Sequence, residues 1–215
     1  MNSEMTPAAE FPINNEPPSA VMMLSFGGID IPWHHVAEVD STMDYALGAV
    51  SAASNGWFLV TADYQTRGRG THGRAWSSDP GTAILLSLVM PAPREDSPIE
   101  RLSVKAAETL ATVLEHFGCS PCTVKEPNDL HVRGRKIAGI LLESSSLDSH
   151  LMYLILGMGV NISQTDGFFA ENDLTEATSF AMELGGIGVP DHTAVLTGFL
   201  KRFVPLYTTL YLDVR

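Results

Sequence analysis

Residues 68–76 read Gly-Arg-Gly-Thr-His-Gly-Arg-Ala-Trp and lie between two apolar stretches at 57–64 and 82–90. Both stretches have the length and apolar content of buried strands, so residues 65–76 are predicted to form the loop that joins them. Three glycines in a loop let backbone amides approach an oxyanion closely, and Arg69 and Arg74 add charge-assisted donors. These residues favour a phosphate or carboxylate site at one end of a sheet, with an ordinary polar surface turn as the alternative.

The segments on either side of this region complete the predicted fold. Ser41 or Thr42 can cap a helix that runs to about Ala53, and ordered structure is predicted to begin near Ile29. Hydrophobic spacing predicts three helices and three further strands after residue 90. The helices are 99–117, 174–184 and 191–211, and the strands are 123–125, 137–143 and 151–160. Strands grouped around a long helix indicate an α/β fold of the α+β type, with a mixed, mainly antiparallel sheet flanked by helices.

The N-terminal segment differs in composition from the rest of the chain. The first twenty residues are rich in Pro, Asn, Glu and Ala, with prolines at positions 7, 12, 17 and 18. Prolines at this density prevent a regular element, so a flexible tail is predicted at residues 1–28. The remaining residues, 29–215, are predicted to form one folded domain, since 45% of the chain is hydrophobic.

The charge of the chain is strongly acidic and unevenly distributed. The formal net charge is −12, which argues against nucleic-acid binding and against binding to anionic membranes, since both need a basic surface. The 13 basic residues are absent from 1–66 and 137–200, and they concentrate at 67–74 and 125–136. Such clusters are typical of a local site for an anionic ligand, and ordinary scatter is the alternative.

Cysteine usage and hydropathy indicate a reducing compartment. Cys119 and Cys122 lie in the order Cys-Ser-Pro-Cys between a predicted helix and a predicted strand, which is not the context of a redox motif. Two plain thiols are therefore predicted. No apolar run reaches the length of a membrane span, and the first residues lack the early Lys or Arg of a signal peptide. A cytoplasmic location without membrane contact is expected.

Two later segments also place polar side chains at the end of a strand. In Lys125-Glu126-Pro127-Asn128-Asp129, a lysine that ends a buried strand is costly unless it meets a negative charge, and Lys136 begins the next strand. A hairpin with lysines that reach solvent is the alternative. In Gly157-Met158-Gly159-Val160-Asn161, small residues let a ligand lie against the backbone, and Asn161 can donate and accept hydrogen bonds. A tight strand end is the alternative there.

In this order, the three segments resemble the catalytic domain of biotin protein ligases, within the biotin and lipoate ligase family. The family pattern has a Gly-Arg-Gly-Arg-x-Gly-Arg-x-Trp loop, a Lys-Trp-Pro-Asn-Asp turn followed by Lys-x-x-Gly-Ile-Leu, and a Gly-x-Gly-x-Asn strand end. Asp40-Ser41-Thr42 resembles the family's Ser-Thr-Asn helix start, and Tyr64-Gln65 resembles the residues before its glycine loop. The resemblance covers about residues 35–215.

The resemblance implies a fold related to the sheet of class II aminoacyl-tRNA synthetases and a ligase with two half-reactions. Biotin and ATP would form biotinyl-5′-AMP and pyrophosphate, and biotin would then be transferred to a lysine of a biotin carboxyl carrier domain. Mg²⁺ would arrive with ATP, since the sequence shows no dedicated metal site. A homodimer is one possible assembly.

The resemblance also implies a role for individual residues. It assigns biotin binding to Ser41, Thr42, Gln65, Gly68, Arg69, Lys125 and Gly139. It assigns ATP binding to Arg69, Thr71, Arg74, Trp76, Asn128, Lys136 and Asn161, of which Trp76 and Asn161 would hold adenine. Lys125 and Arg69 would be the catalytic residues, because they would stabilise the charge that develops at the phosphate.

Several features depart from the family pattern. Met43 stands where the family has Asn, Thr71 replaces the second loop arginine, and Glu126 replaces the Trp of the turn. Neither the N-terminal winged helix nor the C-terminal β-barrel-like domain of other family members is expected here. These departures leave two alternatives, a non-catalytic relative that binds biotin or a carrier, and a lipoate or octanoyl ligase or transferase. A transferase would need a nucleophilic cysteine, and Cys122 lies three residues before Lys125.

Overall fold

The computed structural model of the protein describes residues 21–50, 56–147 and 150–212, which form one eight-stranded sheet and five α-helices. The strands are β1 Val21–Phe26, β2 Ile29–Val39, β3 Phe58–Gln65, β4 Ala83–Pro91, β5 Cys122–Lys125, β6 Asp129–Val132, β7 Arg135–Leu147 and β8 His150–Asn161. The helices are α1 Thr42–Ala49, α2 Leu102–His116, α3 Asp166–Glu171, α4 Phe180–Glu183 and α5 His192–Tyr211.

The strands lie in the order β1-β2-β3-β4-β8-β7-β6-β5. Strands β2 and β3 pair in parallel, and every other neighbouring pair in this sheet is antiparallel. The parallel pair exists because α1 lies between β2 and β3 and returns the chain to the same end of the sheet. The mixed, mainly antiparallel sheet predicted from the sequence is therefore confirmed.

The two faces of the sheet are covered differently. Side chains alternate along each strand, so Leu59 lies in a large apolar cluster with α2 and α5, while Phe58 and Val60 lie in a smaller cluster with α1. We call the first surface the helix face and the second the open face. The long predicted helices correspond to α2 and α5, and their apolar stripes are buried on the helix face.

Helix α1 begins where the sequence predicts. Ser41 has an extended backbone and its hydroxyl accepts a hydrogen bond from Met43 N, which satisfies an amide that the first turn leaves open. Described helix extends to Ala49, and the predicted end near Ala53 lies outside the described residues. This short helix covers only part of the open face, which leaves room for a site beside it.

Two predictions of secondary structure need correction, and two elements were not predicted. Strand β1 lies within the predicted tail, because residues 21–26 pair with β2 and gain order from that partner; residues 1–20 lie outside the described residues. Strand β6, which begins at Asp129 at the end of the Pro-Asn-Asp turn, and helix α3 are the two elements that the spacing did not predict. The predicted helix at 174–184 contracts to α4, because Glu176 O accepts from Lys136 N and Thr178 N donates to Lys136 O, both at 2.8 Å. We call residues 173–178 the strap.

None of the helices in the described ranges is long and apolar enough to cross a membrane. No group of three or more His, Cys, Asp or Glu side chains in those ranges is arranged to hold a metal ion.

Candidate active site

A buried polar network lies where α1 begins, on the open face. Thr42 donates to Gln65 Oε1 twice, from its backbone N at 2.7 Å and from its hydroxyl at 3.0 Å. Ser87 on β4 in turn donates to Thr42 Oγ1 at 2.9 Å. Three of the predicted site residues, Ser41, Thr42 and Gln65, therefore lie together on the open face. Their fixed hydrogen-bond geometry suits a small polar ligand that needs both donors and acceptors.

Ser87 also belongs to this network, although the sequence patterns do not single it out. It is a single hydroxyl within the apolar run 82–90, and it is fully buried. The pairing of β4 with β8 sets Ser87 opposite Gly157, beside Thr42. The only sequence signal is a polar residue that interrupts a core strand, since a buried hydroxyl needs a partner.

A cavity lies beside this network, and we call it the small cavity. It has a volume of about 30 Å³, and its wall includes Thr42, Met43, Gln65, Arg69, Trp76 and Gly157. Polar groups therefore line one side, and the apolar side chain of Met43 lines another.

The glycine loop, residues 65–76, closes on itself through its backbone. Gly70 N donates to Arg74 O at 2.8 Å and Trp76 N donates to Gly68 O at 2.9 Å, while residues 71–73 form a single 3-10 turn. A side chain at Gly68 is excluded, because its Cβ would lie 2.4 Å from Trp76 O. The loop is thus compact, and it projects from the end of β3 over the open face.

Trp76 lies flat on a seat made by two glycines. Gly139 on β7 and Gly159 on β8 are register partners, so their missing side chains leave one continuous gap. A Cβ at Gly159 would lie 2.3 Å from Trp76 Cε2, and a Cβ at Gly139 would lie 3.1 Å from Trp76 Cζ3. The two glycines are needed because the indole occupies the space that their side chains would fill. The indole Nε1 is buried, and it has no hydrogen-bond partner among the described residues.

A second cavity of the open face, of about 270 Å³, lies on the other side of Trp76. We call it the larger cavity, in comparison with the small cavity. Its wall is formed by the glycine loop, β7, the end of β8 and the strap, including Thr71, Arg74, Asn128, Lys136, Asn161 and Glu176. Lys136 Nζ lies 5.9 Å from the centroid of the Trp76 ring and 2.7 Å from Asp129 Oδ1. A planar ring could therefore meet both an aromatic face and a cation in this cavity.

Asn128 and Asn161 hold the walls of the larger cavity in place. The Asn128 amide donates to Ile140 O at 2.9 Å, which fixes the turn against β7. The buried Asn161 donates to Thr178 O at 3.0 Å and accepts from Gln164 Nε2 at 2.9 Å. Both amide atoms of Asn161 therefore bind protein groups, and this side chain positions the strap.

The arginines of the glycine loop are paired with carboxylates. Arg69 Nη2 lies 3.2 Å from Asp44 Oδ1 and 2.8 Å from Glu143 Oε2, with 38% of its side chain exposed. Arg67 pairs with Asp40, and hydrogen bonds from Thr66 and Arg67 hold the pKa of Asp40 below its usual value. Exposed pairs of this kind are weak, so Arg69 can exchange its carboxylates for an anionic ligand.

Two predicted site residues, Gly68 and Lys125, line neither cavity, and Lys125 lies farther from the walls along the chain. It ends β5 as an exposed side chain, three residues before Asn128. Its four-carbon stem gives the ammonium a wide reach, so a bound anion could still attract it.

Another cavity, of about 310 Å³, lies on the helix face between β2, β3 and the first turn of α5. Its polar wall includes His35, Thr61, Asp63, Asp191 and His192. Two carboxylates and no lysine or arginine line it, so its charge does not suit a phosphate. The polar chemistry suited to an anion therefore lies on the open face.

Residues 36–161 match the family model described as the biotin/lipoate A/B protein ligase family. The chain belongs to this family. A biotin–[acetyl-CoA-carboxylase] ligase of Paracoccus denitrificans is 35% identical over 177 residues, which are 80% of this chain and 70% of that protein. The bifunctional ligase/repressor BirA of Bacillus subtilis is 32% identical over 152 residues, which are 67% of this chain and 45% of BirA. This biotin/lipoate ligase family member thus spans about half the length of the BirA relatives it matches.

A solved structure of a family relative supports the fold. The biotin protein ligase of Aquifex aeolicus, in complex with biotin and ATP, superimposes with a TM-score of 0.68 and 27% sequence identity. The match covers 83% of this chain and 71% of the Aquifex chain. The family sheet with its flanking helices is therefore present here, as the sequence resemblance implies.

Proposed function

We propose that this family member is an ATP-dependent biotin–protein ligase. The observation that carries the proposal is that the small cavity and the larger cavity meet at Trp76, which lines both. A reaction that joins two substrates needs two such adjacent sites. The name of the Paracoccus relative and the ligands of the Aquifex structure support biotin and ATP as the two substrates.

Biotin is assigned to the small cavity. The ureido group of biotin offers two N–H donors and one carbonyl acceptor, and the network of Ser41, Thr42 and Gln65 offers matching hydroxyl and amide groups. The carboxylate end would then point toward Gly68 and Arg69. Gly139, which the resemblance assigns to biotin, lies under Trp76 and lines the larger cavity instead. Arg69 supplies a cation for the carboxylate once it leaves Asp44 and Glu143.

MgATP is assigned to the larger cavity. Trp76 and Lys136 would hold the adenine through stacking and cation contact, with Asn128 and Asn161 fixing the surrounding backbone. Thr71 and Arg74 lie at the loop side of the cavity, where they would contact phosphates. Since the described residues contain no carboxylate cluster for a metal, Mg²⁺ would be carried by the phosphates and water.

The chemistry then proceeds in two steps. A biotin carboxylate oxygen attacks the α-phosphorus of ATP, which forms the acyl–phosphate bond of biotinyl-5′-AMP and releases pyrophosphate. A neutral lysine amine of a biotin carboxyl carrier domain attacks the acyl carbon, which forms an amide and releases AMP and a proton. Arg69 and Lys125 would stabilise the negative charge on phosphate oxygens in both steps, and for this Lys125 must turn inward from its exposed position.

Pyrophosphate release tests the proposal and separates it from both alternatives. We expect release that needs biotin and ATP together, followed by biotin transfer to an acetyl-CoA carboxylase carrier domain. A non-catalytic relative would bind biotin without releasing pyrophosphate. A lipoate ligase would release pyrophosphate with lipoate or octanoate and not with biotin. Sedimentation in the same buffer would measure the assembly state and distinguish a monomer from a homodimer.

A further inference from the structure

The small cavity is closed at one end by the side chain of Met43. This methionine is 4% exposed, and its Sδ lies 2.7 Å from the position that a Cβ on Gly157 would take. Its Cγ lies 3.1 Å from the same position. The thioether therefore occupies the gap that Gly157 leaves in the open face, next to the network of Thr42 and Gln65.

The remaining space is too small for a ligand. The cavity holds about 30 Å³, whereas pockets that enclose small molecules hold roughly 300 Å³ or more. At least one side chain of the wall must therefore move before the bicyclic ring system of biotin can reach the polar network. Trp76 lies above Gly159, two residues farther along β8, so its movement alone would leave the end at Gly157 closed.

Most of the wall at this end is held rigidly. Strand β8 pairs with β4 on one side and β7 on the other, so Gly157 is fixed in the middle of the sheet. Thr42 and Gln65 are joined by two hydrogen bonds. Met43, in contrast, is held by apolar contacts and has an unbranched side chain that repacks readily.

We infer that Met43 is a displaceable plug of the ring-binding pocket, which sets the affinity and the rate of biotin binding. The inference rests on the proposed function of the small cavity as the biotin site. The plugged arrangement competes with the ligand, so the apparent affinity equals the intrinsic affinity multiplied by the unplugged fraction. Binding of biotin in the absence of ATP is the step that this competition affects.

Titration calorimetry with biotin alone, on wild type, Met43→Ala and Met43→Leu, tests the plug. If the unplugged form is about a tenth of the population, Met43→Ala will bind biotin about tenfold more tightly. Met43→Leu keeps most of the apolar volume and serves as the matched control, with an expected change of less than about threefold. Equal or weaker binding by Met43→Ala, in a variant with a native melting transition, would make Met43 a wall of the site and overturn the plug.

Kinetics on the wild-type protein give a test that does not depend on a folded variant. Release of the plug is a first-order step, so the observed rate of biotin binding should reach a plateau as biotin concentration rises. A rate that rises linearly throughout overturns the inference but leaves the proposed ligase intact. Absence of biotin binding by the wild type and by both variants would overturn the proposed function and the plug together.

Discussion

The helix face and the open face of the sheet use the same strands for different purposes. On the helix face, α2 and α5 bury a continuous apolar surface, in which Phe199, Phe203 and Tyr207 follow one another along α5. On the open face, α1 covers one end, and the other end carries Gly139, Gly159 and a tryptophan from a loop.

This difference separates stability from binding. The helix face is closed by long side chains, so a change there is felt mainly as lost packing. The open face places glycines in the central strands β7 and β8, where apolar side chains would contribute more to stability. The glycines leave a gap that the indole of Trp76 fills, between two cavities that share it. Substitutions on the two faces should therefore affect different measurements.

The largest expected effect is a loss of stability caused by a substitution on the helix face. Phe203 is fully buried and stacks on Phe199 with ring centroids 5.0 Å apart. Phe203→Ala should lower the free energy of unfolding by about 3–5 kcal/mol, because it removes a large buried ring and leaves a cavity. Leu210→Ala on the same helix is the control, with an expected loss below about 0.5 kcal/mol, since Leu210 is 45% exposed. Urea unfolding measures both, and similar losses in the two variants would contradict the comparison.

The next effect is on catalysis and concerns Lys125, at the end of the edge strand β5. Lys125→Ala should reduce biotinyl-AMP formation by about 100-fold to 1000-fold, because it removes the cation to which the proposed mechanism assigns stabilisation of the developing negative charge. The melting temperature should stay near that of wild type, since Lys125 is exposed. Lys201→Ala, an exposed lysine of α5, is the matched control and should leave the rate unchanged. Wild-type adenylation by Lys125→Ala would remove this lysine from the mechanism.

A smaller effect is expected from filling the glycine seat. Gly159→Ala places a Cβ 2.3 Å from the Trp76 ring, so the indole must move. We expect the KM for ATP to rise roughly tenfold, equivalent to about 1.4 kcal/mol of binding. Gly167→Ala in α3 is the control, because its nearest contact would be 3.7 Å away. An unchanged KM for ATP in Gly159→Ala would show that the seat does not position the adenine site.

The smallest effect concerns one histidine on each face. His34 lies edge-on to Phe58 on the open face, His192 lies at the first turn of α5, and burial lowers the pKa of both. The unfolded chain then binds a proton more readily than the folded chain. The contribution of each neutral histidine to the free energy of unfolding is therefore present above about pH 6.5, and it is lost as pH falls through the folded pKa. Replacing either residue by Gln should flatten the fall of unfolding free energy below pH 6.5. An unchanged slope in both variants would contradict the assignment.

The sequence predicts those parts of the molecule that depend on local pattern. The apolar runs at 57–64 and 82–90 become β3 and β4, and the helical spacing of 99–117 becomes α2 with its preceding turn. The glycine loop lies between two strands as its composition indicates. Strand β1 does not follow from local pattern, because its order depends on pairing with β2.

The site depends more on register than on local pattern. Gly139 and Gly159 are twenty positions apart, and only the pairing of β7 with β8 makes them one seat. Ser87 reaches Thr42 across 45 positions for the same reason. The sequence named Ser41, Thr42, Gln65 and Trp76 through a motif, but it could not show that Met43 fills the gap at Gly157.

Hydrogen–deuterium exchange with biotin and ATP tests most directly the claim that ligands bind the open face. Both ligands together should slow exchange in the glycine loop and in the strap, which form opposite walls of the larger cavity. Exchange in the middle of α2 and α5 should change little, because these helices contribute packing on the other face. Equal exchange of the glycine loop with and without ligands, or protection confined to α5 and the cavity beside it, would contradict the account.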